Sequence, residues 1–331
     1  MQIYTQDVFK ELYRSSEERY PVALSIVVPI YNEAGNVAQL HERINTVCKQ
    51  LGEPYEIIFV DDGSTDGTGE ICRTLSPLTL ISFRRNFGQT AAFDAGIKQA
   101  RGAVVITLDG DLQNDPADIP RLLQKLAEGY DVVSGWRYNR HDSLSKKITS
   151  RTANLLRKFF FGDSIHDSGC ALKAYRRECF KNLDLFGEMH RFIPALLESR
   201  GFRVGEIKVK HYPRVNGKSK YGNVVRGVKG LVDMVSVWFW DRFSSRPVHL
   251  FGSSGILLGL VGSMILTWMF VQKVIFGIPL SEKIWPLMGV FFVLTGIQFF
   301  TFGILADILV KSYYKGQRRM NYFIKEVVSR N

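Results

Sequence analysis

Two aspartates separated by one residue follow an unbroken apolar run. Asp109 and Asp111 come directly after residues 104–108, VVITL, and Gln113 follows them. Such a run is typical of a strand buried on both faces of a parallel sheet, and open α/β sheets bind ligands at the carboxyl ends of their strands. Carboxylates there favour a hard divalent cation, which one or two carboxylates and substrate phosphates usually hold. The pattern predicts a metal that binds a diphosphate, although an acidic surface turn has the same spacing.

Three strand and helix pairs precede this run. Strands are predicted at residues 24–28, 57–60 and 78–83, each followed by a helix, which indicates a doubly wound, mostly parallel α/β sheet. The loops after these strands should meet at one crevice. They carry polar sequences: PIYNE at 29–33, DDGSTDG at 61–67 and RRNFGQ at 84–89. Together they predict a nucleotide-diphosphate pocket, while each loop alone is equally well explained as a capped or solvated turn.

The same motifs, in this order and spacing, resemble the family-two glycosyltransferases of the type A fold. Within that family they are most similar to the polyprenyl-phosphate glycosyltransferases, such as dolichol-phosphate mannose synthase and bactoprenol (undecaprenyl-phosphate) glucosyltransferase. The resemblance covers residues 24–221, and neither a G-x-G-x-x-G after the first strand nor a P-loop competes with it. It implies that the nucleotide sugar is bound by Pro29, Tyr31, Glu33, Asp61 or Asp62, Arg85, Asp109, Gly110 and Lys220. It also implies that Asp109, Asp111 and Gln113 address Mg²⁺ or Mn²⁺ and the diphosphate. Gln89 departs from the family, where many members carry Lys.

A basic segment follows the predicted crevice. Residues 137–158 hold seven basic residues and one acid, which suits phosphates but also a solvated helix. By resemblance, Arg137 and Arg151 are catalytic arginines that meet the donor and acceptor phosphates. Ser150 and Asn154 are weaker candidates on the same predicted helix.

One further aspartate matches a family residue proposed as the catalytic carboxylate. Asp167 occupies that position, but a lipid phosphate is already ionised at neutral pH, so orienting a substrate is an equally good role. His166 and His190 are interpreted as structural. Residues 201–210 are read as a strand pair or edge, and the basic loop 212–221 after them resembles a family loop that closes over the diphosphate; a plain surface loop is the alternative. In this loop the resemblance implies that Arg214 and Ser219 contact the acceptor phosphate and that Lys220 contacts the donor.

The composition changes after residue 221. Residues 224–243 mix apolar, Trp and charged side chains, which predicts an amphipathic interface helix or an ordinary core helix. Residues 250–271 and 284–306 carry no charge and are long enough to span a bilayer. The expected organisation is a surface helix at 1–21, a catalytic domain at 22–222, an interface helix at 223–248, two membrane helices within 249–310 and a basic tail at 311–331. The positive-inside rule predicts a multi-pass protein of the plasma (inner) membrane whose catalytic domain and both termini are cytosolic.

These features predict inverting transfer of a single sugar to a membrane polyprenyl phosphate. By resemblance the leading substrates are UDP-glucose and undecaprenyl phosphate, followed by GDP-mannose, UDP-N-acetylglucosamine and UDP-aminoarabinose as donors, and a homotetramer is expected. A processive polysaccharide synthase is the alternative enzyme, but the Q-x-x-R-W motif of that class is absent. A non-catalytic scaffold or lipid-binding protein also stays open.

The net charge of +11 suits nucleic acid, anionic lipid or phosphorylated substrates, and two membrane spans argue against nucleic acid. The four scattered cysteines favour free thiols in a reducing compartment.

Overall fold

The computed structural model describes residues 20–138, 158, 160, 162, 164–181, 183–213, 223–243, 247–279, 283–315 and 322–330. The chain divides into two compact units, Met1–Val237 with Met320–Asn331, and Trp238–Arg319. The first unit holds the predicted catalytic elements, and the second holds the two long apolar helices.

The first unit is built on an eight-stranded mixed sheet. Its strands are β1 (Val22–Ile30), β2 (Tyr55–Asp61), β3 (Leu78–Phe83), β4 (Gly102–Thr107), β5 (Val132–Trp136), β6 (Lys173–Arg176), β7 (Val204–Lys208) and β8 (Ile324–Arg330). They lie in the order β7-β5-β6-β4-β1-β2-β3-β8. Strands β4, β1, β2 and β3 are parallel neighbours, which confirms the predicted α/β sheet.

Helices cover both faces of this sheet. They are α1 (Val37–Leu51), α2 (Thr68–Thr74), α3 (Gln89–Gln99), α4 (Ile119–Ala127), α5 (Ile193–Ser199) and α6 (Asn223–Phe243). Alternate residues of β1 enter opposite cores: Ile26 and Val28 join one buried cluster, and Val27 joins the other. This double burial explains why the central strands are continuously apolar and do not alternate.

An antiparallel strand that the sequence did not predict separates β4 from β5. Strand β6 pairs antiparallel with both, with Lys173 opposite Thr107 on β4 and Ser134 on β5. Because β6 runs in the opposite direction, it begins at the edge where β4 and β5 end. Lys173 therefore lies at the carboxyl ends of the parallel strands, where the ligand crevice is expected.

The end of the chain also joins the sheet. Residues 311–331 are predicted to be a basic tail, but the last apolar helix continues to Lys315 and residues 324–330 form β8. Strand β8 pairs antiparallel with β3 at the edge of the sheet. A run in which Ile, Val and Glu mix with basic residues gives no clear strand signal, and pairing with β3 decides its conformation.

Helix α6 has one packed face and one exposed apolar face. Met234 and Val237 are each 4% exposed and belong to a buried core cluster, whereas Val232 is 62% exposed and Val235 40% exposed. One face of α6 is therefore packed as in a core helix, and contact of its exposed apolar face with a membrane interface stays a prediction.

The second unit contains two helices that are long and apolar enough to cross a membrane. They are α7 (Pro247–Val274) and α8 (Trp285–Lys315), each longer than the charge-free stretch that predicted it. They pack closely through glycines: a Cβ at Gly255 would lie 2.5 Å from the carbonyl oxygen of Gly296, and one at Gly262 would lie 2.7 Å from that of Gly289. Such small residues let the backbones of membrane helices approach each other.

Candidate active site

The aspartate pair lies in a tight turn at the end of β4. Asp109 is partly buried, and its Oδ1 accepts a 2.7 Å hydrogen bond from Nε2 of Gln89. Gly110 packs against the end of β1, where an added Cβ would lie 2.9 Å from the Ile30 side chain and 3.1 Å from the Pro29 carbonyl oxygen. Glycine is thus required for this turn to sit on β1.

Burial and the neighbouring carboxylate change the acidity of Asp109. Desolvation, with the charge of Asp111, raises the pKa of Asp109 to about 6, and Arg137 and Lys173 oppose the rise. Above its pKa this carboxyl group is ionised, which is the form that can bind a cation. Within the described residues no group of three or more His, Cys, Asp or Glu side chains could hold a metal. Two carboxylates suit a hard cation whose remaining ligands are phosphate oxygens and water.

The turn continues into a segment that contacts Tyr212. Leu112 adopts a left-handed conformation with φ of 61°, and the backbone N–H of Gln113 donates to Oδ1 of Asp111 at 3.2 Å. The Gln113 side chain donates through Nε2 to the Tyr212 carbonyl oxygen at 3.3 Å. The side-chain nitrogen of Gln113 thus links this turn to Tyr212, at the start of the basic loop. A metal could be contacted only by the side-chain oxygen of Gln113.

The loops after β1 and β2 hold each other through side chains. Asn32 has a φ of 55°. Its Oδ1 accepts a hydrogen bond from the backbone N–H of Thr65 at 2.9 Å, and its own backbone N–H donates to Oγ of Ser64 at 2.9 Å. The N–H of Glu33 donates to Oγ1 of Thr68 at 2.9 Å. These contacts bring Tyr31 and Glu33, two predicted nucleotide-binding residues, to the same edge as the aspartate pair.

The two aspartates at the end of β2 have different roles. Oδ1 of Asp61 accepts the N–H of Ser64 at 2.9 Å and shapes its own turn. Both carboxylate oxygens of Asp62 accept backbone N–H groups, from Phe87 at 2.6 Å and Gly88 at 2.9 Å. Asp62 therefore holds residues 84–88, which we call the β3 loop. In that loop the Arg85 guanidinium lies 4.4 Å from the centre of the Phe87 ring.

Arg137 and Asp167 form a two-bonded ion pair after β5. Nε of Arg137 lies 2.7 Å from Oδ2 of Asp167, and Nη2 lies 2.8 Å from Oδ1. The Arg137 backbone N–H also donates to Oδ2 at 3.2 Å. The two side chains are 13% and 12% exposed, so water screens the pair only partly. The pairing raises the pKa of Arg137 further above its usual value, which keeps it charged.

Three further residues of this region were missed by sequence reasoning. Glu206 on β7 accepts the backbone N–H groups of His166 and Asp167 at 2.8 and 3.1 Å, and Nδ1 of His166 lies 2.8 Å from it. Lys173 is 3% exposed and donates to the Ser168 carbonyl oxygen at 3.1 Å. Burial lowers the pKa of the Lys173 ammonium to about 8. In the sequence, Lys173 is only a charge beside an apolar stretch, and Glu206 is only a charge within a short edge strand. Gln89, seen in the sequence only as a departure from the family, is the third.

The two histidines have structural contacts, as predicted. The His166 ring stacks on Trp136 with centroids 4.5 Å apart. Nδ1 of His190 lies 2.6 Å from the Thr90 hydroxyl. Burial lowers the pKa of His190 to about 3, so it is neutral at physiological pH.

The predicted site is thus assembled from several elements of the sheet edge. Pro29, Tyr31, Glu33, Asp61, Asp62, Arg85, Asp109, Gly110, Asp111, Gln113, Arg137 and Asp167 all follow or end strands β1 to β5 or precede β6. Ser150, Arg151, Asn154, Arg214, Ser219 and Lys220 lie outside the described residues, so their roles stay predictions.

Comparison with known proteins identifies the family. The profile described as Glycosyl transferase family 2 matches residues 25–184. Dodecaprenyl-phosphate galacturonate synthase of Rhizobium johnstonii is 41% identical over 313 residues, covering 92% of both chains. The chain belongs to glycosyl transferase family 2. Undecaprenyl-phosphate 4-deoxy-4-formamido-L-arabinose transferase of Pseudomonas savastanoi pv. phaseolicola is 37% identical over 93% of this chain and 92% of that protein. With these relatives the enzyme is a polyprenyl-phosphate glycosyltransferase, as the sequence motifs indicated.

Solved structures confirm the type A fold. Mannosyl-3-phosphoglycerate synthase of Rubrobacter xylanophilus aligns over 70% of this chain and 82% of that chain with a TM-score of 0.56 and 18% identity. Glucosyl-3-phosphoglycerate synthase of Mycobacterium tuberculosis, in complex with Mn²⁺ and UDP-glucose, aligns over the same shares with a TM-score of 0.53 and 17% identity. At these identities the likeness concerns the fold.

Proposed function

We propose that this glycosyltransferase moves one galacturonate residue from UDP-galacturonate to a polyprenyl phosphate. The observation that carries the donor is the 41% identity to the galacturonate synthase over 92% of both chains, against 35–37% for the formamidoarabinose transferases. A 4-formamidoarabinose donor is therefore the second candidate. The UDP-glucose that the sequence resemblance placed first is not supported by the names of these relatives.

The aspartate pair is the proposed binding site for the nucleotide diphosphate. Asp109 and Asp111 would hold a divalent cation, Mg²⁺ or Mn²⁺, which when bound neutralises the charge that develops on the leaving UDP. Gln89 holds Asp109 through its 2.7 Å hydrogen bond, so one carboxylate oxygen has a defined orientation before the substrate arrives. Tyr31, Glu33 and Arg85 are proposed to bind the nucleoside from the neighbouring loops.

The proposed reaction forms one bond and breaks one. A phosphate oxygen of the lipid attacks the anomeric carbon, and the bond from that carbon to the diphosphate oxygen breaks in line, so the configuration inverts and UDP leaves. The acceptor phosphate is already ionised near neutral pH, and no proton has to be removed from it. The products are a polyprenyl-phospho-sugar and UDP.

Arg137 and Asp167 are proposed to position phosphates and not to transfer a proton. A guanidinium has five N–H donors, and the ion pair with Asp167 uses two of them. The carboxylate thereby fixes the plane of Arg137, which can present its other edge to a phosphate. Arg151, Ser150, Arg214 and Ser219 are proposed from the family resemblance to complete the acceptor site, and Lys220 the donor site.

The two apolar helices are proposed to attach this sheet to the bilayer that contains the acceptor. Strand β8 follows both helices and pairs with β3, so the catalytic sheet and the last strand lie on the same side of the membrane if each helix crosses once. An even number of crossings agrees with a cytosolic catalytic domain and C-terminus under the positive-inside rule. The exposed apolar face of α6 is proposed to rest on the membrane interface. A homotetramer remains a proposal from the family.

A transfer assay with purified full-length protein tests this function. The protein is incubated with undecaprenyl phosphate, Mg²⁺ or Mn²⁺ and radiolabelled UDP-galacturonate, UDP-glucose or UDP-4-formamidoarabinose, and the lipid is extracted. We expect galacturonate label in the organic phase, loss of transfer in EDTA, and a fall of at least about 100-fold in Asp109→Ala. Glu42→Ala, which removes an exposed carboxylate of α1, is the matched control and should transfer normally.

Each alternative gives a distinct result in the same assay. Label from glucose or formamidoarabinose alone would replace the proposed donor and keep the reaction. Polymer made from donor without lipid would identify a processive synthase. Asp109→Ala and Asp111→Ala variants that retain full transfer would contradict the role of the aspartate pair.

A further inference from the structure

The segment that follows the last apolar helix touches the β3 loop directly. Strand β8 pairs with β3 along residues 324–330, and the register shifts between Ser82 and Phe83. Beyond this irregularity the backbone N–H of Arg84 donates to the Phe323 carbonyl oxygen at 3.1 Å. Backbone hydrogen bonding therefore continues from the sheet into the first residue of the loop.

Aromatic contacts extend this attachment to the middle of the loop. The Tyr322 ring stacks on Phe83 with centroids 4.9 Å apart and an angle of 19°. Phe83 meets Phe87 edge to face at 5.7 Å, and Phe323 lies 6.2 Å from the same Phe87 ring. Phe87 is the ring over which Arg85 lies. Phe323 thus contacts Phe87 directly, and Tyr322 contacts it through Phe83. Phe87 in turn supports the arginine that is proposed to bind the nucleotide.

A buried hydrogen bond anchors Tyr322 to the helix on the other side of the loop. Its hydroxyl donates to Oδ2 of Asp94 on α3 at 3.1 Å, and the two residues are 5% and 4% exposed. Asp94 also accepts the N–H of Leu185 at 3.1 Å and pairs with Lys98 at 2.6 Å. Burial and the Asp94 charge raise the pKa of Tyr322, which keeps the phenol in its donating form. Tyr322 therefore contacts elements on both sides of the loop, β3 before it and α3 after it.

We propose that Tyr322 and Phe323 are positioning residues for the nucleotide sugar, which hold the β3 loop in its binding conformation from the side opposite Asp62. The Asp62 carboxylate holds the N–H groups of Phe87 and Gly88, and the C-terminal segment holds the rings and the first N–H of the same loop. Because these contacts order the loop before the donor binds, binding costs less conformational entropy. The donor should therefore bind more tightly. The inference rests on the proposed function because it takes the β3 loop as part of the donor site.

The effect should fall on donor binding and not on the chemical step. Phe323 is 67% exposed, so Phe323→Ala removes the contact to Phe87 at little cost to folding. We expect this change, and Tyr322→Ala more strongly, to raise the KM for UDP-galacturonate about 5- to 20-fold while kcat and the KM for polyprenyl phosphate change less than about twofold. Tyr322→Phe keeps the ring stack and should restore most of the donor affinity. Ser329→Ala, which removes a β8 hydroxyl that lies 3.2 Å from the hydroxyl of Thr79 on β3, is the matched control and should behave as wild type.

Two measurements on the full-length protein decide the question. UDP binding is measured by calorimetry with Mn²⁺ present, and amide hydrogen exchange is followed over residues 84–88. We expect weaker UDP binding and faster exchange at Phe87 and Gly88 in Phe323→Ala and Tyr322→Ala, with exchange in β1 and β4 unchanged. Unaltered UDP affinity and loop exchange in both variants would overturn the positioning role and leave the proposed function intact. Absence of UDP binding to the wild-type protein would overturn both.

Discussion

The Arg137 guanidinium and the Asp167 carboxylate are joined by two hydrogen bonds, of 2.7 and 2.8 Å. They are 30 residues apart and meet because β5 ends where the chain enters β6, at the edge that carries Asp109. Glu206, on β7 beside β5, accepts the backbone N–H of Asp167 and so holds this residue in place. The geometry makes Asp167 the residue that orients Arg137.

A double-mutant cycle tests whether these two residues act as one unit. Asp167→Asn and Arg137→Gln should each lower kcat at least about tenfold, and the double variant should be no worse than the poorer single one, because either change already removes the pair. The measurement is the transfer rate at saturating metal and donor. The control is Arg101→Gln, which breaks the 3.0 Å pair with Glu56 at the opposite end of β4 and should leave kcat unchanged. Additive losses would mean that Arg137 and Asp167 work independently.

The raised pKa of Asp109 predicts how metal binding depends on pH. A cation must displace the proton, so the affinity for Mn²⁺ should be constant well above the pKa of about 6 and should fall as the pH drops below it. The loss approaches about tenfold per pH unit on the acidic side if one proton is displaced. Mn²⁺ titrations followed by electron paramagnetic resonance between about pH 5 and pH 8 would measure it. A flat profile over this range would contradict the assignment of Asp109 as a ligand.

The carboxylate of Asp62 should matter for the donor through the β3 loop. Asp62→Asn keeps the size of the side chain but leaves one oxygen to accept the N–H groups of Phe87 and Gly88, where the carboxylate uses two. We expect the KM for the nucleotide sugar to rise about tenfold or more, with little change in the KM for the lipid. Asp66→Asn, which affects the turn at Ala34 and Thr68, should have a smaller effect. An unchanged donor KM in Asp62→Asn would show that the loop keeps its conformation without this contact.

The close approach of α7 and α8 predicts a large difference between two glycines of one helix. A side chain at Gly255 meets the backbone of Gly296 and Phe300, whereas a Cβ at Gly259 has no atom within 4 Å. Gly255→Leu should therefore lower the unfolding temperature in detergent, at a cost of about 1–3 kcal/mol or more, since backbone cannot move aside as a side chain can. Gly259→Leu is the control and should unfold near the wild-type temperature. Equal stability of the two variants would contradict this packing of the helices.

The four cysteines should be unreactive in the folded protein. Burial raises the pKa of Cys170 to about 11 and those of Cys48, Cys72 and Cys179 to about 12. Because the thiolate is the reactive form, iodoacetamide at about pH 8 should label none of them until the protein is unfolded. Mass spectrometry before and after denaturant should count zero and then four modified thiols. Labelling of one cysteine in the native protein would show that its surroundings open readily.

Much of the fold could be read from short stretches of the chain. The strand that ends at Asp61 and the strand before Asp109 were predicted to within a few residues, because buried strands are continuously apolar; the helix after each of the first three strands was predicted as well. Strands β6 and β8 were missed. Each is short or rich in charge, and each depends on pairing with a distant partner, β4 and β5 for β6 and β3 for β8.

The site shows the same division between local and distant information. The sequence predicts that Asp61 or Asp62 binds the nucleoside but cannot assign them different roles. Asp62 is distinguished by its hydrogen bonds to the backbone N–H groups of two residues that lie 25 and 26 positions further along the chain. Lys173 and Glu206 belong to no motif. Lys173 reaches the crevice only because β6 is antiparallel to its neighbours, and Glu206 only because β7 lies at the edge of the sheet beside β5.

The sequence by itself determined the class of this enzyme: the motifs after four strands, the aspartate pair and two long apolar stretches lead to a membrane-attached family 2 glycosyltransferase. Only the tertiary structure decided that Arg137 is held by Asp167, that Asp62 holds the β3 loop, and that Tyr322, 228 residues after Asp94, supports the same loop from the other side. The physical reason is that secondary structure follows from interactions between near neighbours in the chain. The roles of single polar side chains follow from partners that only the packing of the whole sheet brings within hydrogen-bond distance.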